Sequence, residues 1–292
     1  MDKAKLKRLL VGEWSWWRLA RSLIFVYVCV ALYVFFTADR KIFLPQPSSY
    51  TDDHTILKLA VPSGEKISAR YLSNPKASYT ILYAHGNAED LGDVEFALET
   101  IRDAGFNIFA YDYRGYGTSE GHPSERNAYE DVDAAYSYLV RALRVPPQKI
   151  IAYGRSVGGG SAVDLAARQP VAGLIVESAF TQAFRVVVPF PIFPFDKFRN
   201  LEKIKRVRCP VLVIHGKGDR VIPFSYGEQL FNAAPEPKRF LWVEGAGHDD
   251  LIVVAEKSYQ RALQEFEKIV RDRGARSSRP AQQIAKASHL QP

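Results

Sequence analysis

The chain has 292 residues, 47% hydrophobic and 24% charged, globular proportions that exclude wholesale disorder, a collagen-like repeat and a coiled coil. Its net charge of +7 sits at the ends, +4 in residues 1–21 and +4 in residues 271–292, which leaves the body at −1 and removes the electrostatic support for nucleic-acid binding. Two cysteines, Cys29 and Cys209, exclude a disulfide scaffold, and neither has the spacing of a zinc or redox motif.

In chain order, the basic segment 1–21 precedes 17 uncharged residues, 22–38, close to the lower limit of about 17 to 25 residues for a bilayer span. Trp14, Trp16 and Trp17 form an interfacial aromatic set, and Arg18 and Arg21 can reach toward headgroups. A buried core helix and a cleaved signal peptide compete with a transmembrane signal anchor. Cleavage after Ala38 would put Phe36 where a small residue is expected, which favours the uncleaved anchor. Six basic residues before the span, against Arg40 and Lys41 just after it, predict a cytoplasmic N-terminus and an exported body; the alternative is a body facing the cytosol.

Residues 39–50, with Pro45 and Pro47 as breakers, read as a linker into a domain at 51–272, followed by a basic tail at 273–292 expected to be disordered. Within the domain, runs 56–61 and 67–71 flank the turn Pro62-Ser63-Gly64 as an opening hairpin. Apolar runs at 79–84, 107–111, 149–153 and 173–176 read as buried parallel strands, and 211–215 and 239–243 follow. Between and after them 94–104, 128–143 and 251–270 carry helical spacing of apolar residues. This alternation predicts an α/β fold, a mostly parallel central sheet with helices on both faces.

The run 149–153 leads into Gly154-Arg155-Ser156-Val157-Gly158 and then a helix-like stretch, which is G-x-S-x-G in its strand, turn and helix context. Such an elbow exposes a serine at a helix N-terminus, where the dipole favours developing negative charge. A hydroxyl needs a base, and a neutral imidazole oriented by a carboxylate is the usual one. Asp219 follows the strand 211–215 and His248 follows the strand 239–243, so Ser156, Asp219 and His248 all fall just past strand C-termini, where ligand sites form. The oxyanion donors are expected at the backbone N–H of Val157 and of Asn87, the latter in the loop His85-Gly86-Asn87-Ala88. Glu177 is the alternative acid and His85 the alternative base; Asp112 reads as a loop brace.

Several stretches together resemble the α/β-hydrolase superfamily, and within it the small membrane-associated serine hydrolases that include the protein depalmitoylases. They are 85–92 (HGNAEDLG), 111–117 (YDYRGYG), 123–127 (PSERN) and 242–248 (WVEGAGH), within a resemblance covering about 79–251. The resemblance implies an α/β-hydrolase fold, a nucleophile, acid and base at Ser156, Asp219 and His248, and oxyanion donors at Asn87 and Val157. Those depalmitoylases are held on the cytosolic face by an N-terminal cysteine cluster, whereas this chain carries a hydrophobic span with one cysteine. An exported body would not meet cytosolic palmitoyl-proteins, so acyl hydrolysis is better supported than that substrate.

The glycine-rich 115–121 lacks the Lys-Ser/Thr of a P-loop and the dinucleotide spacing, and reads as a tight turn. His215, Asp219 and the run His248-Asp249-Asp250 do not make a zinc site, so neither metal nor cofactor is expected. The proline-broken apolar stretch 186–195 predicts a short irregular cap in which Phe190, Phe193 and Phe195 bind an acyl chain and face the bilayer; core packing beneath the next helix is the alternative. Arg155 reads either as a brace or as a substrate-anion ligand. The expected function is a membrane-anchored serine hydrolase cleaving acyl esters or thioesters, of a lipid or an acylated protein. A serine peptidase of the same fold and a catalytically silent membrane-associated binding protein are the alternatives.

Overall fold

The computed structural model describes residues 15–188 and 190–288, with 277–288 as backbone alone, so the basic residues up to Arg8, Trp14 and Pro189 lie outside the described residues. Two compact units meet at the Lys41/Ile42 junction, Met1–Lys41 and Ile42–Pro292. The first is built on helix α1 (Trp16–Ile42), 27 residues with a mean hydropathy of 2.2 in its most apolar window. At 1.5 Å per residue this helix is about 40 Å long, against about 30 Å of bilayer hydrocarbon. Arg18, Arg21, Arg40 and Lys41 are all helical, so the helix runs past the uncharged stretch 22–38 on both sides, and α1 is long and apolar enough to be a candidate membrane span.

The second unit has the α/β-hydrolase fold. Its eight strands are β1 (Ile56–Ala60), β2 (Lys66–Leu72), β3 (Thr80–Ala84), β4 (Asn107–Tyr111), β5 (Ile150–Arg155), β6 (Gly173–Glu177), β7 (Val211–Gly216) and β8 (Lys238–Val243). They are ordered β1-β2-β4-β3-β5-β6-β7-β8, with β2 antiparallel to both its neighbours and every later pairing parallel. Strand side chains alternate between two faces. Leu82, Ala152, Val176 and Val213 face one core with helices α3 (Glu125–Arg141) and α4 (Gly158–Arg168). Ile81, Ile151, Ile175 and Leu212 face the other with α2 (Glu95–Asp103) and α8 (Lys257–Ser288). Burial on both faces is why β3, β5, β6 and β7 read as unbroken apolar runs. The short α5 (Asn200–Lys203), α6 (Phe224–Ala233) and α7 (Leu251–Ala255) complete the order.

Three boundaries differ from expectation. The expected helix 251–270 breaks at Glu256, whose φ of 44° ends α7 before α8 begins. The tail expected to be disordered from 273 continues α8 to Ser288; its Ala, Gln, Arg and Lys favour a helix, while Gly274 and Pro280 oppose one. The stretch 43–50, expected as a linker, is hydrogen-bonded to the body at Asn87, Asp90 and Asp112. Pro45 and Pro47 exclude a helix there, as expected, but a helix breaker does not reveal the partners of the extended chain.

Candidate active site

Strand β5 ends at Arg155 and α4 begins at Gly158, leaving Ser156 in the turn with φ 53°, a left-handed conformation costly for a residue with a side chain. The elbow persists because its surroundings hold it. Ser156 N donates to Glu177 O at 2.8 Å, and Gly159 N to Ser156 O at 3.0 Å. A Cβ at Gly158 would overlap the carbonyl oxygen of Ala84 and approach that of His85 to 2.6 Å, and one at Gly154 would strike the Gly158 backbone. The glycines of the motif are therefore demanded by backbone contact across the turn.

The structure brings the three expected side chains together. His248 Nδ1 lies 2.7 Å from Asp219 Oδ2 and its Nε2 lies 3.1 Å from Ser156 Oγ. With Asp219 ionised, Nδ1 carries the proton and donates to the carboxylate, which leaves Nε2 as an acceptor for the serine hydroxyl. Burial pushes the Asp219 carboxyl upward, but donation from His248 and from the backbone N–H groups of Ile222 and Val221, both at 2.8 Å, more than offsets this and holds it below its usual range. Behind it, His215 is fully buried, and its burial holds the imidazole below its ordinary value, in the neutral form. His215 Nε2–H donates to Ile222 O at 2.9 Å, so this imidazole braces the turn that feeds N–H donors to Asp219.

Asn87 and Val157 occupy facing loops. Val157 precedes α4, where backbone N–H groups lack an intrahelical acceptor, and among the described residues neither its N–H nor that of Asn87 donates a hydrogen bond. The loop after β3 lies against the elbow, since the carbonyls of Ala84 and His85 crowd Gly158. His85 does not reach the serine by any hydrogen bond among the described residues. Its Nδ1 contacts Gly86 O at 2.8 Å and its Nε2 lies 3.4 Å from Asp112, which also accepts from Leu91 N at 2.9 Å and Tyr50 Oη at 2.5 Å. Asp112 is thus the brace expected of it.

Glu177 is buried at the end of β6 and accepts from Tyr153 Oη and, at 3.0 Å, from Tyr259 Oη. Burial pushes its carboxyl above the ordinary range, against the attraction of Arg155, whose Nε lies at 3.5 Å. Arg155 itself is spent on protein contacts: Glu89, the backbone carbonyl of His248 at 3.0 Å and Asp249 at 2.9 Å. It joins the loop after β3 to the loop after β8, a role the sequence left undecided because its partners are 66 to 94 residues away. A crevice of about 190 Å³ opens beside His248, between Phe96, Val253 and the Arg155 cluster.

The three cap phenylalanines expected to bind an acyl chain are placed unlike one another. Phe193 and Phe195 stack on one another with centroids 5.5 Å apart, and both meet Phe184 edge-on, so these rings consolidate the cap itself. Phe190 projects outward, 61% exposed, beside exposed Val187 and Ile192. The stretch is irregular beyond a short 3-10 turn at Ala183–Val186, as its prolines require. Among the described residues no group of three or more His, Cys, Asp or Glu side chains could hold a metal ion.

Residues 75–194 match the serine aminopeptidase S33 family. The chain is 42% identical over 207 residues to the human α/β-hydrolase domain-containing protein 17B, covering 70% of this chain and 71% of that one. It is 44% identical over 195 residues to the mouse protein 17C, covering 66% and 60%. Among solved structures, an esterase of Pyrococcus furiosus superposes with a TM-score of 0.64 at 17% identity over 77% of this chain and 98% of that one. An α-β serine hydrolase homologue from Coxiella burnetii gives 0.59 at 19% identity over 74% and 99%. At such identities these two share the fold alone.

Proposed function

Because the chain belongs to the α/β-hydrolase domain-containing protein 17 family and is a hydrolase, we propose that it is a membrane-anchored serine hydrolase that cleaves acyl esters or thioesters through an acyl-Ser156 intermediate. The observation that carries this reading is the continuous hydrogen-bond chain from Ser156 through His248 to Asp219. Ser156 Oγ attacks the carbonyl carbon while its proton passes to His248 Nε2, and Asp219 stabilises the imidazolium that forms. The oxyanion is received by the N–H groups of Asn87 and Val157, with the dipole of α4 behind them. Collapse expels the alcohol or thiol, which takes the proton from His248. Water then attacks the acyl-enzyme by the same route and releases the acid. No metal or cofactor enters these steps.

The substrate class rests on the anchor and the cap. Helix α1 spans the bilayer, and the exposed Val187, Phe190 and Ile192 offer an apolar rim to a lipid surface, with an acylated lipid or protein as the acyl donor. The charge bias around α1 favours an exported hydrolase domain, 51–272; a cytosolic domain would instead meet palmitoylated proteins. The serine aminopeptidase match keeps amide cleavage as a second reading.

A fluorophosphonate probe should label the wild type and not Ser156→Ala; equal labelling of both removes the serine from the mechanism. A panel of acyl esters, acyl thioesters and aminoacyl amides then separates the readings, with turnover expected on the first two. Turnover of the amides alone makes the protein a peptidase.

A further inference from the structure

An oxyanion donor contributes to catalysis only when its N–H is held within about 0.5 Å of the productive position. Asn87 lies in a loop, the part of a fold least able to provide such rigidity by itself. Its side chain is nevertheless almost fully engaged. Oδ1 accepts from Leu44 N at 2.9 Å, from Tyr116 Oη at 2.6 Å and from Ala88 N at 3.0 Å, while Nδ2 donates to Ile42 O at 2.7 Å. Leu44 N is shared with Tyr116 Oη, also at 2.9 Å.

The partners of Asn87 are themselves fixed. Phe43, between the two backbone groups that Asn87 grips, is buried and meets the rings of Tyr113, Tyr116 and Phe198 at 6.3, 6.4 and 5.9 Å. Further along, Ser49 donates from its backbone N–H to Asp90 at 2.7 Å and again from its hydroxyl. Tyr50 donates to Asp112, which in turn receives Leu91 N. The segment 42–50 therefore lies across the loop 85–92 and holds it directly at Asn87 and Asp90 and, through Asp112, at Leu91. A separate observation agrees. Ala88, next to Asn87, has φ 57°, a left-handed conformation that a non-glycine residue keeps only where its surroundings over-determine it.

We propose that residues 42–50, the segment continuous with the apolar helix, form a strap that sets the oxyanion hole, with the Asn87 side chain and the Tyr116 hydroxyl as positioning residues. The inference rests on the acyl-hydrolase reading above. The strap neither touches substrate nor takes part in proton transfer. It fixes the direction of the Asn87 N–H, so the hole is complete only while residues 42–50 are seated on the loop.

The test uses the full chain in detergent micelles, comparing wild type, Asn87→Ala and Tyr116→Phe with a soluble p-nitrophenyl acyl ester and an alkyl trifluoromethyl ketone. The ketone adds Ser156 Oγ to its carbonyl carbon, passes the serine proton to His248 and leaves an oxyanion in the hole. Asn87→Ala retains its backbone N–H, yet kcat should fall on the order of 10²-fold with KM little changed, and the ketone inhibition constant should rise by the same factor. Tyr116→Phe, which removes one oxygen atom from an otherwise intact ring, should show the same parallel shift at about 10-fold, and it carries the test if Asn87→Ala does not fold. Loss of kcat with unchanged ketone affinity overturns the strap, as do wild-type values of both. Failure of the wild type to react with a fluorophosphonate overturns the hydrolase reading and the strap with it, so the two failures are distinguishable.

Discussion

Arg155 donates from Nη2 to the backbone carbonyl of His248 at 3.0 Å, so the residue immediately before the proposed nucleophile holds the loop that carries the proposed base. The same guanidinium bonds Glu89, two residues beyond Asn87, and its Nε lies 3.5 Å from Glu177 on the next strand. One planar group thus ties together the turn of Ser156, the loop of His248 and the loop of Asn87.

Arg155→Lys tests that geometry. A lysine keeps the charge but places its donors on one atom and cannot span these partners. Turnover should fall by about 10²-fold, since a displacement near 1 Å costs that much. Arg155→Ala should in addition destabilise the fold by about 3–5 kcal/mol, because Glu177 loses its cation inside the protein. Chemical denaturation and ester kinetics measure the two effects, and wild-type kinetics in a folded Arg155→Lys would deny the positioning role.

The two carboxylates are separable. Asp219→Asn should lower kcat on the order of 10⁴-fold by misorienting His248, the loss seen when a triad aspartate becomes an amide. Glu177→Gln should cost far less, because its partners are Tyr153, Tyr259 and Arg155. A larger loss for Glu177→Gln would move the acid to the end of β6.

Asp219 also gives a signed pH dependence. Its folded-state value lies below the ordinary one, so its contribution to stability is complete above about pH 4, the unfolded value, and is lost as pH falls through the depressed folded value. Denaturation midpoints measured from pH 6 down to pH 2 should therefore fall more steeply for the wild type than for Asp219→Asn. Parallel acid limbs would show that Asp219 is not preferentially ionised in the fold.

Gly158→Ala is expected to be among the most damaging single-methyl additions in the chain. The new Cβ would overlap the Ala84 carbonyl oxygen, and backbone cannot rotate aside as a side chain can. Fluorophosphonate labelling should be abolished, with a stability loss of at least about 1–3 kcal/mol from overpacking. Normal labelling would mean that the elbow and the loop after β3 stand farther apart than described.

The anchor predicts retention in membranes after high-salt and carbonate washing, whereas removal of residues 1–38, which leaves the strap intact, should release a soluble and active body. Extraction by salt alone would reduce α1 to a surface attachment. External protease should digest the body in intact cells or spheroplasts if it is exported; protection until permeabilisation would place it in the cytosol and favour acylated proteins as substrates.

Local pattern carried much of this molecule. The apolar runs of β3, β5, β6 and β7 announced strands buried on both faces, and Gly154 to Gly158 announced an elbow, because a backbone contact that admits only glycine leaves its mark in the sequence itself. The places of Ser156, Asp219 and His248 just past strand ends were read on the same grounds, and the structure brings the three side chains within hydrogen-bond distance. Helix α6 was not, nor the break at Glu256, where a left-handed residue other than glycine carries no compositional signal.

What the sequence determined by itself was therefore set by near neighbours: strand period, the glycines of the elbow, apolar length and the position of candidate reactive groups along each strand. Only the tertiary structure decided what long side chains meet. Arg155 could serve substrate or scaffold until Glu89 and Asp249, 66 and 94 residues away, were found on its guanidinium. Residues 43–50 could be a free tether until Asn87 was found holding both Ile42 O and Leu44 N. The cap phenylalanines could line a pocket or pack together, and Phe193 and Phe195 pack together. The physical reason is common to all three: a flexible or multivalent group has several partners of similar free energy, and the choice among them is made by which elements the sheet brings into reach.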